Sequence, residues 1–329
     1  MVWGLDRLVT LAGMDPQLQA ISARHGVWLR REATALGYHD PAIQRLVRTN
    51  VWHRVRHGSY TYAETWAGLD AKQRYGLLCR AAYRRSATTV ALSHRSAANE
   101  WSTPLWDVRL DEVDLTREDQ RTGRREAGVA QHRGRVLDGD WVLHHGIYVM
   151  SPTRTALELT TQLDVEHSLV EIDDLLHRGL TTVEALRSRF DLMNHWPDTL
   201  HTDLVLRRVD GRSDSVGNTR ARHLCWTQGL PTPVPELEVC DPLTGRVLYR
   251  VDLAWPGLGV FLEFDGRAKY VRYRRPGESI ADCVERERRR EVHIGELTGW
   301  RCIRLVWADL EHPARTADRI RTLFRNQAA

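Results

Sequence analysis

One hairpin constrains this chain more than any other segment: Arg246 to Lys269, RVLYRVDLAWPGLGVFLEFDGRAK. In its first arm Val247, Tyr249, Val251 and Leu253 alternate with Leu248, Arg250, Asp252 and Ala254. Pro256 and Gly257 supply a turn, after which Val260, Leu262 and Phe264 alternate with Phe261, Glu263 and Asp265. Side chains two apart share a face of a strand, so Glu263 and Asp265 are expected to point the same way, and natural pairing of the arms adds Asp252. Three carboxylates held close repel one another and raise each other's pKa unless a cation offsets the charge. The pattern therefore predicts a divalent-metal site built from Asp252, Glu263 and Asp265. A solvated polar face of an antiparallel sheet is the other reading of the same alternation.

At 329 residues the chain is long enough for two or three domains, each with its own core. No apolar run approaches the roughly 20 residues that span a bilayer, so no membrane partner is expected. The opening MVWGLDRLVTLAG has neither a basic n-region nor an apolar h-region, which argues against a secretory signal. Cys79, Cys225, Cys240, Cys283 and Cys302 are odd in number and form no C-x-x-C, the usage of reduced thiols in a cytoplasmic protein. The formal net charge is only +4, so total charge does not announce nucleic acid. The cations are nevertheless unusual, since only Lys72 and Lys269 are lysines and every other basic residue is arginine. A GC-rich genome accounts for that bias, and arginine is also the better ligand for phosphate and guanine.

Residues 17 to 62 read as a winged helix-turn-helix. A first helix, Gln17 to His25, ends at Gly26, and a second, Arg30 to Leu36, closes at Gly37. Asp40 is expected to cap a third helix with Pro41 at its first position. Ile43, Leu46 and Val47 fall on one face of that helix, and Gln44, Arg45 and Arg48 on the other. The next segment, WHRVRHGSYTY from Trp52 to Tyr62, turns near His57 and Gly58 and carries Arg54, Arg56 and His57. Helix, turn, helix and basic wing is the layout that sets a helix in the major groove and a wing on the backbone. The candidate DNA-binding residues are therefore Gln44, Arg45, Arg48, Arg54, Arg56 and His57, and the expected partner is double-stranded DNA. Short helical pairs with exposed arginines that bind no DNA are the alternative.

Residues 71 to 212 are expected to form a mixed strand and helix domain. Its first helix runs from Lys72 to Arg85, short strands follow, and helices begin after Ser151-Pro152. Ser93-His94-Arg95-Ser96-Ala97-Ala98 looks like a helix start, where His94 reads more simply as a capping or packing residue than a functional one. Val209 to Gly217 has no periodicity and is the candidate linker. Beyond it the predicted order is helix, three strands, helix, strand, helix (αβββαβα). The expectation is a multidomain α+β protein: a winged helix-turn-helix over 1–70, a mixed α/β middle over 71–212, and an αβββαβα core over 213–329.

That order, with Asp252 in the second strand and Glu263-Phe264-Asp265 in the third, resembles the PD-(D/E)xK nuclease superfamily and its restriction-endonuclease-like fold. It is similar in particular to endonuclease domains related to very-short-patch-repair enzymes. The carriers are Val251 to Pro256, Phe261 to Gly266, Glu287 to Glu291, and Gly299 to Trp307. The resemblance implies that Asp252 and Glu263 are ligands of Mg²⁺ (or Mn²⁺), with the carbonyl after Glu263 as a third, in an enzyme that hydrolyses DNA phosphodiesters. The superfamily's lysine position, two after the Glu, holds Asp265 here. Lys269 is the candidate replacement for that cation. The first two thirds resemble actinobacterial proteins with an AbiEi-type antitoxin N-terminal domain, on Gly26 to Leu36, Val47 to Tyr60, Ser93 to Ala98 and Arg154 to Ala156. This second resemblance implies a winged-helix DNA binder, in some relatives an autorepressor of a type IV toxin–antitoxin operon with a cognate toxin as partner. Two readings stand: a metal-dependent endonuclease whose catalytic set is Asp252, Glu263, Asp265 and Lys269, or a repressor on a non-catalytic nuclease fold.

Overall fold

Local signals fix the first lobe. Asp15 accepts hydrogen bonds from the N–H groups of Gln17 and Leu18, at 2.8 and 3.3 Å, and so starts helix α1 (Pro16–His25). The helix ends at Gly26, whose φ of 73° is the left-handed geometry a C-terminal cap requires. A two-residue strand β1 (Trp28–Leu29), helix α2 (Arg30–Ala35) and helix α3 (Asp40–Arg48) follow. Strands β2 (Trp52–Arg56) and β3 (Ser59–Tyr62) then fold back through His57 and Gly58, and the sheet order is β1-β3-β2. Leu18, Trp28, Ala33, Ile43, Trp52, Tyr60 and Tyr62 form the core between helices and sheet, with Trp28 edge-on to Trp52 at 5.0 Å. One expectation needs correction. His39 is the N-cap of α3, while Asp40 is its first residue and spends its carboxylate on Arg30, 2.5 Å away, instead of on the helix N–H groups.

The computed structural model describes residues 15–119, 123–193, 196–266 and 279–328. The chain divides into two compact units, 1–162 with 188–195, and 163–187 with 196–329. Both mix helices with β-sheet, so the chain is a multidomain α+β protein. The expected middle segment, 71–212, contributes to both units.

In the first unit a mixed six-stranded sheet follows the first lobe, ordered β6 (Arg124–Glu126), β7 (Val129–His132), β5 (Val113–Arg117), β4 (Val90–Leu92), β9 (Ile147–Met150), β8 (Trp141–His144). The β5–β7 and β4–β9 pairs are parallel and the other pairs antiparallel. Helix α5 (Ala71–Arg85) joins sheet and lobe: Leu77 and Ala81 pack with Val27 and Val55, and Arg84 binds Glu32 at 2.5 Å. Helices α6 (His94–Glu100) and α7 (Pro152–Leu159) also belong to this unit. Within α7, Arg154, only 1% exposed, bridges Glu158 one turn on and Asp140 at 2.9 Å each.

The second unit holds helix α8 (Val165–His177), helix α11 (Val216–Thr227) and an antiparallel run β10 (Val234–Cys240), β11 (Val247–Trp255), β12 (Val260–Phe264). A long helix, Ile280–Thr298, then leads to β13 (Arg301–Leu305), which pairs with β12 in parallel, and Pro313–Ala328 is the closing helix. One sheet face packs Leu253, Trp255, Leu262 and Phe264 with Leu224 of α11 and Ile320 of the closing helix. A second cluster packs Val251, Ala254 and Phe261 with Ile294 of the long helix. The candidate linker is no free tether. Asp210 N–H donates to Asp173 Oδ1 at 2.7 Å, and Arg222 donates to Ser213 Oγ at 3.1 Å, fastening 210–213 to α8 and α11. Among the described residues no helix is long and apolar enough to cross a membrane.

Candidate functional site

Strand pairing decides which acids meet. Leu253 pairs with Leu262, Ala254 with Phe261 and Trp255 with Val260, and Asp252 and Glu263 each lie one residue beyond the last of these pairs. The two carboxylates are 9% and 7% exposed. Asp252 Oδ2 accepts the backbone N–H of Phe264 at 2.7 Å, which fixes its rotamer and closes the end of the hairpin. Gly217 of α11 passes the same strand end. A Cβ there would stand 2.2 Å from the Phe264 ring, so only glycine fits.

The expected third acid is placed differently. Strand β12 ends at Phe264, and Asp265 follows with its N–H donating to Leu305 O at 2.7 Å. Among the described residues two groups of three or more His, Cys, Asp or Glu bring one potential ligand atom each within 4.8 Å of the others. They are His94 with Asp114 and His132, and Glu100 with His144 and His145; Asp252, Glu263 and Asp265 are not such a group. Lys269 lies outside the described residues.

A cation does reach the pair, from an element the alternation pattern could not suggest. Arg290 of the long helix places Nη1 3.1 Å from Glu263 Oε1 and 3.5 Å from Glu287 Oε2. Its Nη2 donates to the carbonyl of Arg250, and its guanidinium carbon lies 6.0 Å from the centre of the Tyr249 ring. Burial works against the charge on Arg290, but Glu263, Glu287 and Asp252 hold its pKa above the ordinary arginine value. Arg304, paired in register with Glu263 across β12 and β13, is bound to Glu291 at 2.8 Å. The only available signal for Arg290 was the charged run Glu285 to Glu291, which reads equally well as intrahelical pairing.

The second candidate surface is α3. Ile43 is buried and Leu46 and Val47 pack partly into the lobe core, while Gln44, Arg45 and Arg48 are exposed. Arg54 on β2 is also exposed. The side chains of Arg45, Arg48 and Arg54 make no ion pair or hydrogen bond among the described residues. Two wing residues are engaged within the chain. Arg56 donates to Ala127 O at 2.9 Å, and its burial, with Arg85 nearby, lowers its pKa. His57 is exposed, and its carbonyl accepts Arg85.

No protein-family model matches the chain. Two uncharacterized proteins of Mycobacterium tuberculosis, one from strain CDC 1551 and one from strain H37Rv, are each 26% identical to it over 176 residues. The match covers 53% of this chain and 61% of each relative.

Proposed function

We propose that this is a DNA-binding protein whose second unit is a metal-dependent, PD-(D/E)xK-type endonuclease acting in defence or mobile-element biology. The observation that carries the reading is the buried Asp252–Glu263 pair on the two middle strands of a helix–three-strand–helix–strand–helix unit. Two hard carboxylate donors suit Mg²⁺ or Mn²⁺ better than a softer ion. Such an ion, when bound, activates water and polarises the phosphodiester. Asp252 is held for that role by the Phe264 N–H, and Glu263 by the parallel pairing of its strand with β13. Arg290 neutralises Glu263 and is the nearest described cation to offer a scissile phosphate. It is no general base, because guanidinium does not deprotonate in proteins. The first lobe supplies DNA affinity: Arg45 and Arg48, with Gln44, lie on the outward face of α3 where a recognition helix meets base edges and phosphates. Arg54 and His57 extend that surface along the wing.

A second reading is favoured by Arg290 on Glu263 and by Asp265 at the superfamily's lysine position. In it the chain is an AbiEi-like antitoxin repressor, with a toxin as partner, on a nuclease scaffold that no longer cuts. Supercoiled and linear DNA incubated with purified protein in Mg²⁺, Mn²⁺ or EDTA separates the two. Metal-dependent cutting that is lost in Glu263→Ala is expected from the endonuclease. Folded protein that shifts DNA but never cuts it belongs to the repressor.

A further inference from the structure

A different cluster lies in the first unit, on the six-stranded sheet. His94 follows strand β4 and opens helix α6 with a backbone φ of 47°, a left-handed geometry rare for residues other than glycine and asparagine. Glu158 of α7 holds it there, its Oε2 accepting the His94 N–H at 2.9 Å. The imidazole meets Asp114 of β5 and His132 of β7. In the parallel β5–β7 pair His132 is in register with Thr116, and Asp114 lies two residues before Thr116. His132 Nε2 is 2.8 Å from Asp114 Oδ1, and the two imidazole rings face each other at 4.0 Å. One potential ligand atom from each residue lies within 4.8 Å of the other two. Asp114 is wholly buried and His94 nearly so, while 26% of the His132 side chain reaches solvent and opens a path to the cluster.

We propose that His94, Asp114 and His132 bind a divalent first-row transition-metal ion, through two imidazole nitrogens and one carboxylate oxygen. Imidazole with carboxylate suits zinc, iron, nickel or copper, not the magnesium expected on Asp252 and Glu263. Zinc bonds of about 2.0–2.2 Å set ligand atoms roughly 3.3–3.6 Å apart, within side-chain adjustment of the separations here. The surroundings already orient each ligand. His94 Nδ1 is 3.1 Å from Ser93 Oγ and 3.6 Å from Glu158 Oε2, which leaves Nε2 to the ion. Arg95 Nε donates to Asp114 Oδ2 at 3.0 Å, and Gln162 Nε2 to Oδ1 at 3.2 Å. Outer partners of this kind fix the tautomer and direction of metal ligands. The other cluster, Glu100 with His144 and His145, is the weaker candidate because none of its three residues is buried, whereas Asp114 and His94 are.

The test is titration of the untagged, chelator-stripped full chain with Co²⁺, read by its visible ligand-field bands, followed by Zn²⁺ competition. The expected result is one equivalent of bound Co²⁺, displaced by Zn²⁺ and not by excess Mg²⁺. His132→Ala, at the solvent edge, and His94→Asn, which tolerates the left-handed backbone, should each weaken binding by about tenfold or more. A double His144→Ala and His145→Ala variant should bind as the parent does. If either cluster variant does not fold, pulsed EPR of Cu²⁺ on the parent counts coordinated imidazoles, and two are expected. Absence of bands, fewer than two imidazoles, affinity unchanged in both folded variants, or loss only in the His144–His145 double variant would each overturn the proposal.

Discussion

Arg154 and Arg45 sit in the same compact unit in opposite surroundings. Arg154 is 1% exposed and spans Asp140 and Glu158, with Arg189 completing the network at 2.8 Å from Asp140. Burial alone would raise the Asp140 pKa, but Arg189, the Leu137 N–H and Arg154 together hold it below the usual carboxylate value. Arg45 projects from α3 with no such partner among the described residues. Arg290 of the second unit is intermediate, half-covered and bound to Glu263 and Glu287. In a chain whose basic residues are nearly all arginine, composition does not distinguish a structural guanidinium from one available to a polyanion. The surroundings of each do. Those that answer buried acids hold the fold, and those left open are free of such internal duties.

That contrast sets an order of expected effects. Arg154→Ala leaves Asp140 and Glu158 short of a buried cation and should cost about 3–5 kcal/mol in urea unfolding. A loss under 1 kcal/mol would show that Arg189 alone can carry the network. Arg290→Ala should cost about 1–3 kcal/mol, because Glu263 keeps some solvent access. Under the endonuclease reading the same variant should bind Mn²⁺ more tightly by calorimetry, its competing cation gone. Arg45→Ala and Arg48→Ala should each leave stability within about 0.5 kcal/mol. Each should weaken DNA binding about tenfold and lower the slope of log K against log salt by about 1. Unchanged affinity and slope in both variants would sink the winged-helix reading. The smallest effect concerns His25, at the end of α1. Burial, with Arg84, Arg24 and Arg80 nearby, lowers its pKa from 6.5 to about 4. Between those pH values the unfolded chain binds a proton there that the folded chain refuses, so stability falls as pH drops from 6.5 towards 4. His25→Gln should flatten that slope in thermal melts across the same range.

Features set by neighbours in sequence were legible. Pro41 and the spacing of Ile43, Leu46 and Val47 announce α3 with its buried and exposed faces, and Gly58 marks the wing turn. The alternation from Val247 to Phe264 announces β11 and β12, and their pairing follows from the short turn between them. Features set by distant partners were not. Asp265 looks equivalent to Glu263 by alternation, yet β12 stops at Phe264 and the three acids do not bring one ligand atom each within 4.8 Å of one another. Residues 209–217 have a linker's composition, but Asp173 and Arg222, far off in sequence, pin them. His94, Asp114 and His132 stand about twenty residues apart, at the start of a helix and on two strands of a mixed sheet, so no local spacing reveals them. A buried Asp within the strand Val113–Arg117 was the one sign available.

The parallel pairing of β12 with β13 also has a history. Strands β10, β11 and β12 are neighbours in sequence and can pair by local turns, so the strands that carry Asp252 and Glu263 are expected to pair first. Glu263 finds Arg304 only after a crossover of about forty residues, a closure that is slow because long-range contacts must first meet their entropy cost. Arg290 rides on that crossover helix. The topology predicts that during refolding the two acids face each other before their counter-charge arrives, which faster refolding in Mg²⁺ than in EDTA would show. A divalent cation in the refolding buffer would serve that interval as a chaperone of charge, whether or not the finished protein keeps it.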